Sequence, residues 1–261
     1  MPRMTQKMNA IFITGTAGSG KSLLTSRLLQ WYIDRRCFPI SINLDPGVVN
    51  LPYRPDVDIR DFIDVNTLME TYNLGPNGSV IMASDMIATR IDEIQDEVNN
   101  LNPDYIFFDT PGQIELFAFR ISGSYFVSHL QCDNKVNLFL CDGMLMSTPI
   151  NFVSIQLLAS AVKLRLKIAQ INILTKRDLL AEKLKEVLGW AASNISLESS
   201  LDKEKDSEYS LLTKDLSRTM SKSGLPQNLI AVSGSDLNGI ANLSAALSRI
   251  VSQGEECIGG T

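Results

Sequence analysis

Histidine occurs once in the 261 residues, as His129, so a Ser/His or Cys/His catalytic pair would have to run through that one ring. It lies in the apolar-flanked stretch Phe126-Val127-Ser128-His129-Leu130 and is expected to be a helix residue rather than a base. The four cysteines, Cys37, Cys132, Cys141 and Cys257, form no C-x-x-C pair. With one histidine they offer too few ligands at useful spacing for zinc, and reduced thiols of a cytoplasmic protein are expected. Long apolar runs are missing as well: Tyr105–Phe108 falls far short of the roughly 20 residues that span a bilayer. Met1–Asn9 has no apolar core of a signal peptide. Basic residues number 24 against 29 acidic, a net charge of −5, so no broad positive field draws nucleic acid or anionic lipid. What remains is an ordinary globular composition, 44% hydrophobic, in a chain long enough to bury a core without staples.

Short β-rich runs alternate with helical stretches, which predicts an α/β fold with a mainly parallel sheet. The expected strands are Ala10–Thr14, Pro39–Leu44, Asp104–Phe108, Lys135–Leu140, Ile168–Leu174 and Leu229–Val232. Their apolar residues are nearly continuous, as in strands covered on both faces. Helices are expected at Lys21–Arg35, Asp61–Tyr72, Ser79–Leu101, Gly123–Gln131, Asn151–Lys163, Leu179–Trp190 and about Leu237–Val251. Two regions exceed the minimal unit. Asp45–Asn100 separates the second and third strands where one helix would suffice. Glu182–Lys222 carries 8 acidic and 7 basic residues, which nearly cancel, and reads as a pair of solvated helices or a mobile insertion.

The first strand runs into Gly15-Thr16-Ala17-Gly18-Ser19-Gly20-Lys21-Ser22, the pattern G-x-x-x-x-G-K-[ST] at the start of a helix. Backbone N–H groups from Gly18, Ser19 and Gly20 through Lys21, Ser22 and Leu23 are placed to wrap phosphates at a positive helix end. Lys21 should bridge β- and γ-phosphate oxygens, and the Ser22 hydroxyl should ligate Mg²⁺. Asp109 ends the strand Asp104–Phe108, where open α/β sheets bind ligands, and is placed to hold the same ion through its water shell. Gly112 follows, with a backbone N–H for the γ-phosphate. Gln113 and Glu115 are candidates to orient the attacking water.

Thr175-Lys176-Arg177-Asp178 comes directly after the strand Ile168–Leu174. The Asp178 carboxylate can accept two hydrogen bonds from guanine that adenine cannot give, and the Lys176 stem can cover the base. The same pattern also fits a helix start, with Asp178 capping Leu179–Trp190. Ser233 and Gly234, after the last strand, could offer an N–H to the guanine oxygen, or form a plain turn. Taken alone, Leu74-Gly75-Pro76-Asn77-Gly78 is a turn signal.

Asn43-Leu44-Asp45-Pro46, Gly75-Pro76-Asn77 and Asp109-Thr110-Pro111-Gly112-Gln113, in order with the phosphate loop and Thr175–Asp178, resemble the GPN-loop GTPases over about Ala10–Val251. The chain looks like the compact, archaeal-type form, with Gly47 where that family often has alanine. The resemblance implies one P-loop NTPase domain over 1–261, a three-layer α/β fold whose 45–100 insert carries the GPN loop and dimerises. It implies a homodimer binding GTP or GDP with Mg²⁺, in which Asn77, shaped by Gly75 and Pro76, stabilises the departing phosphate in the partner's site. It places Asp45 near the Mg²⁺ shell, and it implies a role in assembling a larger complex, with a protein client that the sequence does not name. Arg54, Arg60, Arg90 and Arg120 could each reach a phosphate, but surface ion pairs are the favoured reading.

Two other readings stand beside the hydrolysing switch. One is a P-loop kinase acting on a small molecule or an RNA end, although Glu182–Lys222 holds a single arginine, Arg218, which fits a lid poorly. The other is a GTP-binding module with negligible turnover.

Overall fold

A computed structural model describes residues 7–204, 207–223 and 229–256. Among these residues the strands β1 (Asn9–Gly15), β2 (Pro39–Asn43), β3 (Val57–Asp58), β4 (Tyr105–Asp109), β5 (Asn134–Asp142), β6 (Ala169–Thr175) and β7 (Leu229–Ala231) form one sheet. Its order is β3-β2-β4-β1-β5-β6-β7, and every pairing is parallel. The six expected strands are all present. The edge strand β3 was not foreseen, because two residues carry no periodicity.

Alternation along the strands builds the three layers. Ala10 and Phe12 of β1 face one side, where Phe12 stacks on Phe108 at 4.7 Å and meets Phe126 edge-on. Ile11 and Ile13 face the other, packing with Leu24 and Leu28 of α1 (Lys21–Ile33) and Leu243 and Leu247 of α11 (Ile240–Glu256). The first side is covered by α2 (Val65–Tyr72), α3 (Pro76–Met86), α4 (Ile91–Leu101), α5 (Ile121–His129) and α6 (Pro149–Leu166). The chain runs from β1 to β2 and the edge strand β3, returns to β4 beside β1, and then crosses to β5 on the other side of β1, so strand order reverses at β1. Ligands of open α/β sheets bind beyond the carboxyl ends of the strands at such a reversal.

Three helix expectations and one turn expectation are corrected. Ser79–Leu101 is two helices, α3 and α4, joined by a 3₁₀ turn over Ile87–Arg90. Moreover α3 starts at Pro76 with Gly75 as its N-cap, so Pro76-Asn77-Gly78 is a first helical turn and not a loop. Proline's fixed φ and missing N–H suit that first position. Asp61–Tyr72 is helical only from Val65, capped by Asp64, whose carboxylate accepts the Asn66 N–H at 2.9 Å. Leu179–Trp190 splits at Ala181, φ +46°, into α7 (Arg177–Leu180) and α8 (Lys183–Ala192).

Among the described residues, 182–222 hold three helices rather than a pair: α8, α9 (Asn194–Leu201) and α10 (Ser207–Lys222). Their charged outer faces are solvated, but α8, α9 and α10 all pack on α6. Trp190 lies edge-on to Phe152 at 5.7 Å and donates its indole N–H to Ser200 Oγ at 2.9 Å. Val187, Leu197, Leu201 and Met220 are buried with it. The helices are anchored by these apolar residues, and Glu186, Lys214 and Arg218 are among the charged residues they carry.

Candidate nucleotide site

The sequence G-x-x-x-x-G-K-[ST] folds as a loop because its glycines accept backbone that other residues resist. Gly20 has φ +94°. A Cβ at Gly15 would sit 2.7 Å from the Leu140 carbonyl oxygen of β5, so only glycine lets the loop leave the sheet there. Lys21, 6% exposed, donates to the Gly15 and Thr16 carbonyls at 3.1 Å each and to the Gly112 carbonyl at 2.8 Å. Burial lowers its pKa, while Asp109 and Asp45 pull the other way. The amine thus joins the phosphate loop to the segment after β4.

That segment is also tied to Asp45. The Gly112 N–H donates to Asp45 Oδ2 at 2.9 Å, and the Gly47 N–H donates to Oδ1 at 2.9 Å. The N–H expected to meet a γ-phosphate is here bonded to the Asp45 carboxyl group instead.

Asp109 is 2% exposed, and burial pushes its carboxyl up to about 6 despite the neighbouring Ser22 and Tyr53 hydroxyls and the Lys21 charge. Tyr53 donates its hydroxyl to Asp109 Oδ2 at 2.9 Å, while Oδ1 is buried with no hydrogen-bond partner among the described residues. Such an orphaned anionic oxygen beside a serine hydroxyl suits a hard, oxygen-preferring cation. The residues present fit Mg²⁺.

A raised folded-state pKa means that a charged Asp109 costs stability above about pH 6 and that the cost fades as the carboxyl protonates below it. Asp109→Asn is therefore expected to stabilise the metal-free, nucleotide-free protein by about 1–3 kcal/mol at pH 7.5, and by much less at pH 4.5. Urea unfolding at the two pH values checks this; an equal gain at both would show that the buried charge is not the cause.

The base-reading motif meets the phosphate loop in a hollow of about 130 Å³, walled by Gly20, Leu23, Thr175, Lys176, Asp178, Gly234 and Ser235. The alternative reading of Asp178 as a helix cap does not hold: Asp178 lies inside α7, whose N-cap is Lys176. Its Oδ2 instead accepts the Ser235 hydroxyl at 3.2 Å. Lys176, at φ +56°, pairs with Asp142 of β5, Nζ to Oδ2 at 2.6 Å. Buried Ser233 accepts the N–H groups of Ser235 and Asp236, shaping the turn, and Arg27 Nε donates to the Gly234 carbonyl at 2.8 Å.

Gln113 and Glu115 are exposed and border a second hollow of about 500 Å³ with Thr16, Ala17 and Ile81. Asn77 is exposed in the first turn of α3, one turn before Ile81 on the same helix face. Arg60 forks onto Asp58 and reaches the Val48 carbonyl at 3.0 Å, Arg90 pairs with Glu93, and Arg120 pairs with Asp85. Ion pairing accounts for those three; Arg54 is exposed.

Tyr53, Asp142 and Ser235 went unread in the sequence. Asp142-Gly143 after an apolar strand repeats the Asp109 signal and could have been noticed. Tyr53 sits in a loop with no local pattern, and only the fold brings it to Asp109.

A family model described as a conserved hypothetical ATP-binding protein matches residues 13–253. The chain is 31% identical over 231 residues to GPN-loop GTPase 3 of Eremothecium gossypii, across 84% of this chain and 83% of that one. It is 30% identical over 234 residues to GPN-loop GTPase 1 of Dictyostelium discoideum, across 88% of this chain and 58% of that one. It covers 47% of GPN-loop GTPase QQT2 of Arabidopsis thaliana, so it spans roughly half the length of these last two relatives. The crystal structure of an apo-form GTPase from Pyrococcus abyssi is similar at TM-score 0.82 and 28% identity, over 95% of this chain and 98% of that one.

Proposed function

Because the chain belongs to the GPN-loop GTPase family, we propose that it is a homodimeric, Mg²⁺-dependent switch that hydrolyses GTP to GDP and phosphate and assists assembly of a larger complex. The observation that carries the reading is the convergence of phosphate loop, metal-suited carboxylate and base hollow at the carboxyl ends of β1, β4 and β6. Guanine is preferred over the adenine of the family description, because Asp178 borders the hollow and Ser235 fixes its carboxylate. Lys176, held by Asp142, lies along the base plane.

Mg²⁺ would be held by Ser22 and, through water, Asp109, with Asp45 close by, and when bound it neutralises charge on the β- and γ-phosphates. Lys21 neutralises the same oxygens. Gln113 and Glu115 orient the water whose oxygen attacks the γ-phosphorus as the bond to the β–γ bridging oxygen breaks. The Gly112 N–H passes from Asp45 to the γ-phosphate in the GTP state and back after phosphate leaves, which is the switch. Asn77 of each protomer completes its partner's site. A kinase lid is disfavoured by Arg218, which is forked onto Glu198.

Phosphate release from GTP by the purified chain, without an acceptor, tests the reading; no release above the uncatalysed rate overturns it. Base choice has its own test. Asp178→Asn exchanges one acceptor for a donor, so GTP affinity is expected to fall about 10- to 100-fold while xanthosine triphosphate gains. Equal calorimetric binding of ATP and GTP by the unaltered protein would refute the guanine assignment.

A further inference from the structure

Tyr53 belongs to the loop between β2 and β3, and both sides of its position are anchored independently of its own side chain. Upstream, Arg60 donates to the Val48 carbonyl while its fork grips Asp58, which also accepts the Asn43 amide at 2.9 Å. Adjacent to it, the Pro52 carbonyl accepts the Ser26 hydroxyl of α1 at 3.4 Å. The loop is therefore held in place, and among the described residues the Tyr53 hydroxyl has one hydrogen-bond partner, Asp109 Oδ2, at 2.9 Å. The other oxygen, Oδ1, is left buried and without a partner among the described residues.

A carboxylate on a short side chain has a broad χ2 well and needs something to set its plane. Occupying one oxygen and leaving the other free does that. We propose that Tyr53 is a positioning residue for the metal site: it fixes the Asp109 carboxylate so that Oδ1 alone is presented to the water shell of Mg²⁺. This rests on the metal assignment made above for Asp109. Since Tyr53 and Asp45 share one loop, the contact also ties both carboxylates of the phosphate end to the same backbone segment.

The experiment uses the full chain unaltered and as Tyr53→Phe, Asp109→Asn and the double variant. Calorimetry gives the GDP dissociation constant in EDTA and across a Mg²⁺ series, and thermal unfolding is followed in parallel. Phenylalanine keeps the ring and removes only the hydroxyl. Tyr53→Phe is expected to leave the Tm and the EDTA affinity unchanged and to raise the Mg²⁺ half-saturation about tenfold, as for one lost hydrogen bond to a charged group. In the Asp109→Asn background the same change should add less than about twofold, because the two residues act as one unit. A Mg²⁺ half-saturation unmoved by Tyr53→Phe, where Asp109→Asn does move it, overturns the Tyr53 role and leaves the metal assignment standing. So does an equal loss of affinity in EDTA, which marks a role in loop structure only. If Asp109→Asn itself leaves the Mg²⁺ series unchanged, the metal assignment falls and the Tyr53 role with it.

Discussion

Lys21→Ala is expected to abolish tight nucleotide binding, lowering GTP and GDP affinity roughly 10²- to 10⁴-fold, as for two charge-assisted hydrogen bonds of about 1.5–3 kcal/mol each. The amine is buried, so little water competes for the phosphate oxygens it meets. It is also the positive charge beside two carboxylates, Asp109 and Asp45. Without it, an incoming triphosphate meets uncompensated negative charge. Lys21 contacts phosphate in the ground state and the transition state alike, so the loss appears as affinity first. Gln113→Ala and Glu115→Ala form the contrast. Both side chains lie outside the buried network, at the exposed rim beside Thr16 and Ala17, and should affect turnover while sparing affinity. Calorimetry with phosphate-release kinetics separates the two classes. Retained tight binding in Lys21→Ala, or an intact hydrolysis rate when Gln113 and Glu115 are both alanine, would refute the corresponding assignment.

The features legible in the sequence are those whose chemistry is written in consecutive residues. The phosphate loop, the Asp109–Gly112 run and Thr175–Asp178 each pair a strand's apolar run with the turn that ends it. The sheet itself was legible because strands buried on both faces need nearly unbroken apolar runs. What escaped depends on contacts between distant segments. Val57-Asp58 is a strand only because it pairs with Ile42-Asn43. Tyr53 meets Asp109 across 56 positions, Lys176 meets Asp142 across 34, and Ser235 meets Asp178 across 57. No periodicity spans such gaps. Pro76-Asn77-Gly78 failed differently: Gly-Pro-Asn-Gly has the composition of a turn, and the local preference lost to α3, whose Ala83 and Ser84 are buried. The helix start matters for function, since it puts Asn77 on a rigid element rather than a loose loop.

Asn77→Ala is expected to cut the turnover number 10²- to 10³-fold with little change in GTP affinity, as for loss of one preorganised donor at a developing charge. The position makes a folding effect small, because Asn77 is an exposed helix residue and alanine is the better helix former. Stability measured in parallel should stay level or rise slightly, which removes unfolding as an explanation. Whether the donor serves its own chain or the neighbour is the sharper question. In the same chain, Ile81 lies one turn further along α3 and lines the hollow with Thr16, Ala17, Gln113 and Glu115, so a contact within one protomer is a real competitor. Mixing decides between them. An Asn77→Ala chain keeps Lys21 and binds GTP; a Lys21→Ala chain binds none but keeps Asn77. If Asn77 acts across the dimer, the heterodimer joins an occupied site to an intact asparagine, and activity rises above the sum of the separate variants. If it acts within its own chain, every GTP-bound site still lacks its donor and the mixture gains nothing. Exchange verified by a mass-tagged subunit makes the second result decisive, and that result would place Asn77 in its own chain's site or outside catalysis altogether.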